Sequence, residues 1–186
     1  MTDTEARIIS GLFFLVLSPL SLWWLRREYK HHGKLTWFGS FIHVVMYAFH
    51  GMFCGTLALG ASGSIPMGEL AWLGILLMVI GLIITVAAMD LFRKFSRWVG
   101  NNTPGLQTKN LYRYSRNPQF VGYGLFILGF FVMWWNSLAW LGLLAYAALA
   151  YAVTLVEEEH LIRIYGESYR EYCQKVPRYF GLPKRS

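Results

Sequence analysis

Four apolar stretches dominate this chain: Ile8 to Leu25, Trp37 to Gly60, Leu70 to Leu91, and a longer one from Phe120 to Val156. Crossing the hydrocarbon core of a bilayer as helix takes about 20 mostly apolar residues. The first three therefore predict one span each. The fourth is too long for one span and is interrupted by Trp134-Trp135-Asn136-Ser137, which predicts two helices joined by a tight turn, with Trp134, Trp135 and Trp140 as an interfacial aromatic belt. The expected fold is all-α and polytopic, with five transmembrane helices, the last two a helical hairpin. Only 15% of the 186 residues are charged, against about 25% in a typical soluble domain. An ordinary water-soluble globule and a disordered chain are both excluded. One membrane domain over 1–186 is expected, with three N-terminal spans in 1–92 and the remainder in 93–186.

The 17 Lys and Arg outnumber the 10 Asp and Glu, and they occupy the gaps between apolar runs. The first gap holds Arg26, Arg27, Lys30 and Lys34. The third holds Arg93, Lys94, Arg97, Lys109, Arg113 and Arg116, and the tail holds Arg163, Arg170, Lys175, Arg178, Lys184 and Arg185. Ala61 to Glu69 and the Asn136 turn have none. Positive charge marks cytoplasmic loops, so the N-terminus is expected outside and all three basic segments in the cytoplasm. A nucleic-acid binder would carry its bases on one face of a soluble fold instead. The two acids and single base of Thr2 to Arg7, with the strong positive cluster after the apolar run, reverse the charge order of a signal peptide. An uncleaved first helix is expected. Cys54 lies in an apolar run and Cys173 in the polar tail, so no disulfide framework is expected.

The polar groups concentrate in the loop Arg93 to Gln119 and the tail Glu157 to Ser186. In the loop, Tyr112-Arg113-Tyr114-Ser115-Arg116-Asn117-Pro118 precedes a helix start, with Gly122 and Gly124 behind it. Pro118 suits the first helical turn, and a helix start suits an anion. The glycines admit either a ligand or another helix. In the tail, Glu157-Glu158-Glu159-His160 places three acids at a helix C-terminus, against the helix dipole. They are expected either to pair with the bases of the loop or to hold a cationic ligand. An anion site beside a cation site suits a zwitterion.

The spacing of Leu106-Gln107-Thr108, Tyr112-Arg113-Tyr114, Arg116-Asn117-Pro118 and Gly122 resembles the Arg-His-Pro-x-Tyr-x-Gly region of integral membrane methyltransferases. Glu157-Glu158, Leu161, Tyr165-Gly166, Tyr169, Tyr172 and Val176-Pro177-Arg178 resemble the C-terminal signature of the isoprenylcysteine carboxyl methyltransferase and phospholipid methyltransferase superfamily. The resemblance covers Leu106 to Arg178. It implies S-adenosylmethionine as methyl donor, bound between the loop, the last two helices and the tail. Carried over by position, Tyr112, Arg116, Asn117, Pro118, Gly122, Glu157, Glu158 and Tyr169 are expected at the cofactor. Glu158, Arg178 and Arg116 are expected to act in catalysis, the arginines on a carboxylate and Glu158 on the acceptor. Asn117 stands where the motif has His and Phe120 where it has Tyr, and Asn cannot take up a proton near neutral pH.

The acceptor is expected to be lipid-like or a small amphipathic molecule, reached by a lateral opening with Phe126 and Phe130 among its walls. A prenylated cysteine carboxylate, a phospholipid amine, another lipid and a small thiol or amine stay open. The competing readings are a nicotinamide-dinucleotide reductase of the sterol-reductase type and a non-enzymatic membrane scaffold or transport subunit. His43 and His50, seven residues apart, are expected as polar packing or pocket lining, with haem ligation as the alternative. Asp90 is expected to pair with Arg93 and Lys94.

Overall fold

The computed structural model describes residues 2–59, 68–89, 105–134 and 138–182. Asp90, Arg93, Lys94, Arg97, Trp135, Asn136, Lys184 and Arg185 lie outside the described residues, with the pairings and turn expected of them. Among the described residues there is no strand. The elements are α1 (Asp3–His32), α2 (Trp37–Leu59), α3 (Glu69–Met89), a 3₁₀ turn (Asn110–Arg113), α4 (Pro118–Met133), α5 (Ala139–Tyr165) and α6 (Glu167–Lys175).

Helix α1 starts in a capping box: Thr2 Oγ1 accepts from Glu5 N at 3.3 Å, and Thr2 N donates to Glu5 Oε2 at 2.8 Å. It stops at Gly33, whose φ of +65° is the left-handed conformation that ends helices. The short connection to α2 is closed by Glu28, buried near the end of α1, which accepts from Thr36 N. At the other end of this hairpin Arg7 Nε donates to Thr56 O at 3.2 Å, and the Ser10 and Thr56 hydroxyls meet at 2.9 Å. Polar residues at both ends of an apolar hairpin thus fix its register.

Helix α3 is held by α4 through glycines spaced by seven on both helices. A Cβ on Gly81 would lie 2.5 Å from Gly122 O, and one on Gly129 would lie 2.5 Å from Gly74 O. The two antiparallel backbones touch at Gly74–Gly129 and Gly81–Gly122, the small-residue packing that lets apolar helices associate in lipid. Helix α5 packs on α1, α2 and α4. Its Gly142 admits the ring of Phe131. Deep in this core His50 is fully buried, 3.0 Å from Tyr123 Oη and 3.4 Å from Gly142 O.

The outer faces stay apolar. Leu15, Trp23, Trp37, Trp72, Ile83 and Leu144 are each more than half exposed, a surface that water does not tolerate over whole helices and that lipid covers. Four helices, Asp3–His32, Trp37–Ala58, Glu69–Ala88 and Ala139–Tyr165, are long and apolar enough to cross a membrane. The chain is a multi-pass membrane protein. Of the five expected spans, the one on α4 is 16 residues long, which at about 1.5 Å per residue is shorter than a bilayer core of about 30 Å.

Candidate functional site

All six helices and the 3₁₀ turn contribute to one cavity of about 450 Å³. Its walls come from Tyr29 at the end of α1, His43 and Tyr47 of α2, Thr85 and Ala88 at the end of α3, and the segment Gly105 to Asn117. The walls continue with Gln119, Phe120 and Tyr123 of α4, Glu157, His160 and Tyr165 of α5, and Tyr169 and Tyr172 of α6. Tyr47 is ten residues into α2, so the cavity reaches about 15 Å along that helix. Cavities of about 300–1,000 Å³ take ligands of cofactor size.

The loop and the tail build the site by stapling onto each other. Arg116 N donates to Pro177 O at 3.0 Å, Asn117 Nδ2 to Arg178 O at 3.1 Å, and Tyr172 Oη to Tyr112 O at 2.6 Å. Tyr169 and Tyr172 of helix α6, with Val176 just beyond its end, pack against Leu106, Leu161 and Tyr165. Burial raises the Tyr169 and Tyr172 phenols well above the usual tyrosine range, so both keep their protons, and Tyr172 spends its own on Tyr112 O. Tyr179 Oη donates to Thr154 Oγ1 at 3.1 Å and ties the end of the tail to α5.

Beneath this seam lies an ion cluster. Glu158 Oε1 is 2.8 Å from Arg116 Nη1, and its Oε2 is 2.7 Å from Arg178 Nη2. Arg178 Nε also donates to Oε1 at 3.0 Å. Glu158 and Arg116 are only about 12% and 11% exposed, so this pairing is stronger than a surface bridge. Its hydrogen bonds to the Glu158 carboxylate raise the Arg178 guanidinium further above its already high range. Two cations share one carboxylate, and the cluster keeps a net positive charge. Adjacent Glu157 lines the cavity and makes no hydrogen bond or ion pair within the described residues. Glu159 points elsewhere, to Arg26 at 2.9 Å and Arg163 at 3.1 Å. Three consecutive acids therefore take three roles, because successive helical residues point about 100° apart.

The expected site residues divide accordingly. Tyr112, Arg116, Asn117, Glu157 and Tyr169 line the cavity. Glu158 and Arg178 are not among its walls and stand behind Arg116, and both Glu158 oxygens are engaged by guanidinium groups. Pro118 is buried as the first residue of α4. Gly122 faces α3, where Thr85 and Gly81 crowd it; the close approach its missing Cβ permits is taken by a helix. The helix start is also partly used, since Asn117 N donates to Ser115 Oγ and Phe120 N and Val121 N to Asn117 O. Phe126 and Phe130 pack further along α4 against a core of Cys54, Ile127 and Phe131, not on the cavity. The apolar wall there is Phe120, beside Tyr123. His43 lines the cavity, and His50 belongs to the core.

Several cavity-lining side chains carry buried polar atoms without partners: His43 Nδ1, Tyr47 Oη, Arg116 Nε, Gln119 Oε1 and both ring nitrogens of His160. Buried polar groups are almost always hydrogen-bonded, so this concentration in one cavity marks a place for a polar ligand. Of these residues only Arg116 was expected at the cofactor. Tyr47 carried no sequence signal, Gln119 only closed the loop and His160 only ended the acidic run, and their place on one cavity became visible only when the helices were assembled.

A family model for phospholipid methyltransferases matches residues 70–168, more than half of the 186-residue chain. The chain belongs to the phospholipid methyltransferase family. Protein-S-isoprenylcysteine O-methyltransferases are similar to it. The Dictyostelium discoideum protein is 27% identical over 126 residues, 64% of this chain and 52% of its own length. The Xenopus laevis protein is 30% identical over 123 residues, 62% of this chain and 42% of its own length. The Schizosaccharomyces pombe protein is 32% identical over 80 residues, 42% of this chain and 33% of its own length. The chain thus spans about half or less of the curated relatives it matches. No solved structure matches it at comparable significance. The phospholipid methyltransferase match includes α3, α4 and α5, which carry Gly81, Gly122, Glu157 and Glu158.

Proposed function

We propose that the cavity binds S-adenosylmethionine and that the protein transfers its methyl group to a lipid-like or small amphipathic acceptor at the cytoplasmic face of the membrane. One observation carries this reading: a cation on a net-positive cluster, an unpaired carboxylate and a set of partnerless polar atoms meet in one cavity of cofactor size. The family match and the names of the relatives support methyl transfer over the reductase and scaffold alternatives. The basic first loop, third loop and tail support a five-span arrangement with the N-terminus outside and the cavity on the cytoplasmic side.

The residues fit the cofactor. When bound, it supplies an electrophilic methyl group carried on a sulfonium. Arg116 binds a carboxylate, and Glu158 with Arg178 holds its guanidinium in place from behind. Glu157 offers the opposite charge to an ammonium or sulfonium. The faces of Tyr112, Tyr165 and Tyr169 attract a cation as well. Asn117 ties the loop to the tail through Arg178 O and keeps the two halves of the site in register. Leu106, Leu111, Phe120 and Leu161 exclude water, so that displacement at the methyl carbon depends on positioning. An acceptor from the bilayer reaches the deep end, toward Tyr47 and Tyr123.

Calorimetric titration of S-adenosylhomocysteine into the full chain in lipid nanodiscs tests this reading. Micromolar binding is expected, weakened about tenfold by Glu157→Gln, the change that roughly 1.4 kcal/mol produces. No binding to a folded wild-type sample would falsify it.

A further inference from the structure

The exposed residues among the cavity walls fall into two groups. Gly105, Gln107 and Asn110 belong to the polar segment that leads into the 3₁₀ turn. Val44 and Ala87 belong instead to α2 and α3, inside Trp37–Ala58 and Glu69–Ala88, two of the helices long and apolar enough to cross a membrane. These two residues therefore border both the lipid and the cavity. Val44 is seven residues into α2, about 10 Å along its axis. Neighbouring helices usually close such a border by packing ridges into grooves. Among the described residues α2 and α3 do not pack closely on each other: α2 packs on α1, α4 and α5, and α3 on α4 and the 3₁₀ turn. Helix α4 bridges the two, and its Gln119 and Tyr123 line the cavity.

Polarity changes within one turn of this gap. Val44 is apolar and 41% exposed. His43 beside it and Tyr47 three residues on also line the cavity, and His43 Nδ1 and Tyr47 Oη are buried without partners. So is Gln119 Oε1 on α4, the helix that Tyr47 meets through the rings of Phe120 and Tyr123. Buried polar atoms are seldom left unpaired. A molecule that suits this place has an apolar chain outside and a polar head inside. We propose that the gap between α2 and α3 is a door for the methyl acceptor, separate from the cofactor's entrance at 105–110, and that Val44 and Ala87 determine which acceptors pass.

The inference rests on the methyltransferase reading above and narrows its acceptor to a membrane-resident molecule with a long apolar chain. The chain stays in the bilayer against Val44 and Ala87, where it gives up no apolar contact on binding. The head group exchanges water at the interface for His43, Tyr47 and Gln119. A short amphipathic molecule gains the same head-group contacts, leaves the gap between the helices unfilled, and is not concentrated by the bilayer.

The test uses the full chain in nanodiscs, labelled S-adenosylmethionine and three pairs of probe acceptors at equal total concentration. Each pair shares a head group and differs in chain: dioleoylphosphatidylethanolamine with glycerophosphoethanolamine, N-acetyl-S-farnesylcysteine with N-acetyl-S-methylcysteine, and decanethiol with ethanethiol. Wild type is expected to methylate a chain-bearing member at least about tenfold faster than its short counterpart. Val44→Trp and Ala87→Phe, which fill the gap with rings, are each expected to slow that reaction about tenfold or more, with S-adenosylhomocysteine affinity within about threefold of wild type. Val79→Trp, exposed on α3 and not on the cavity, is expected to change neither. Equal rates on a short counterpart would overturn the proposal, as would rates within about threefold of wild type in both ring variants. Methylation of no chain-bearing probe while S-adenosylhomocysteine binds would do so too. If one ring variant loses that binding, the other is read by the same criteria. Loss in both, with Val79→Trp unaffected, assigns the gap to the cofactor or to the fold and overturns the proposal. Failure of wild type itself to bind S-adenosylhomocysteine is distinguishable from all of these: it removes the methyltransferase reading, and the proposal with it.

Discussion

Glu158 shows how one side chain can matter without touching a ligand. Its carboxylate is the sole partner that Arg116 and Arg178 share, and Glu158→Ala would leave two guanidinium groups to repel each other in a half-dry pocket. The expected loss is about 3 kcal/mol, since removing one partner from a buried ion cluster strands the others. Thermal unfolding of the variant should show a clearly lowered midpoint, and an unchanged midpoint would contradict the cluster's structural weight. Tyr172→Phe is a finer test. It removes the hydroxyl that donates to Tyr112 O at 2.6 Å, worth about 1 kcal/mol, and should raise hydrogen exchange in 110–117 while leaving the helices protected.

The sequence announced that acids and bases would meet at this corner, because their types and spacing are visible in one dimension. It left open which of Glu157, Glu158 and Glu159 would face the cavity. That choice depends on the rotation of α5 about its axis, fixed by the packing of Val153, Thr154 and His160 into the bundle. The orphaned atoms of Gln119 and Tyr47 were illegible for the same reason.

At the scale of elements, the α3–α4 pair depends on glycine at its contact points. Gly81→Leu would drive a side chain into the backbone of α4 at Gly122 and Phe126, and the helices would have to separate. The expected outcome is loss of folded protein after solubilisation, seen as aggregation in size-exclusion chromatography. Gly55 in α2 offers the contrast, with nothing within 4 Å of an added Cβ. Gly55→Ala should keep the fold and stabilise it by up to about 1 kcal/mol, because Ala pays less than Gly in a helix. Long apolar runs made four of these helices plain in the sequence. The end of α4 at Met133 and the start of α5 at Ala139 were legible too, because Trp134-Trp135-Asn136-Ser137 interrupts the fourth apolar run between them. Gly122 was ambiguous: a missing Cβ admits a ligand and a neighbouring helix equally, and only the position of α3 decides.

Taken whole, the molecule is a helical bundle whose polar chemistry is gathered at one end and closed over by its last segment. A chain truncated after Tyr165 would keep α1 to α5 and lose Tyr169, Tyr172, Pro177 and Arg178, and with them the staples to 110–117. Such a protein should still insert and migrate as a monodisperse species, while binding of S-adenosylhomocysteine falls below detection. Retained binding would place the ligand elsewhere in the bundle.

The bond from Arg116 to Pro177 O has a consequence in time as well as in space. During synthesis every helix of the bundle emerges before the residues around Pro177, so a nascent chain already threaded into the bilayer still has an open, half-lined hollow where its cavity will be. The corner around Arg116 is therefore completed only after α1 to α6 have emerged. A ribosome stalled before Pro177 would leave an inserted protein with its cavity open, and a bulky fusion placed directly after Arg178 would interfere with closure and not with insertion.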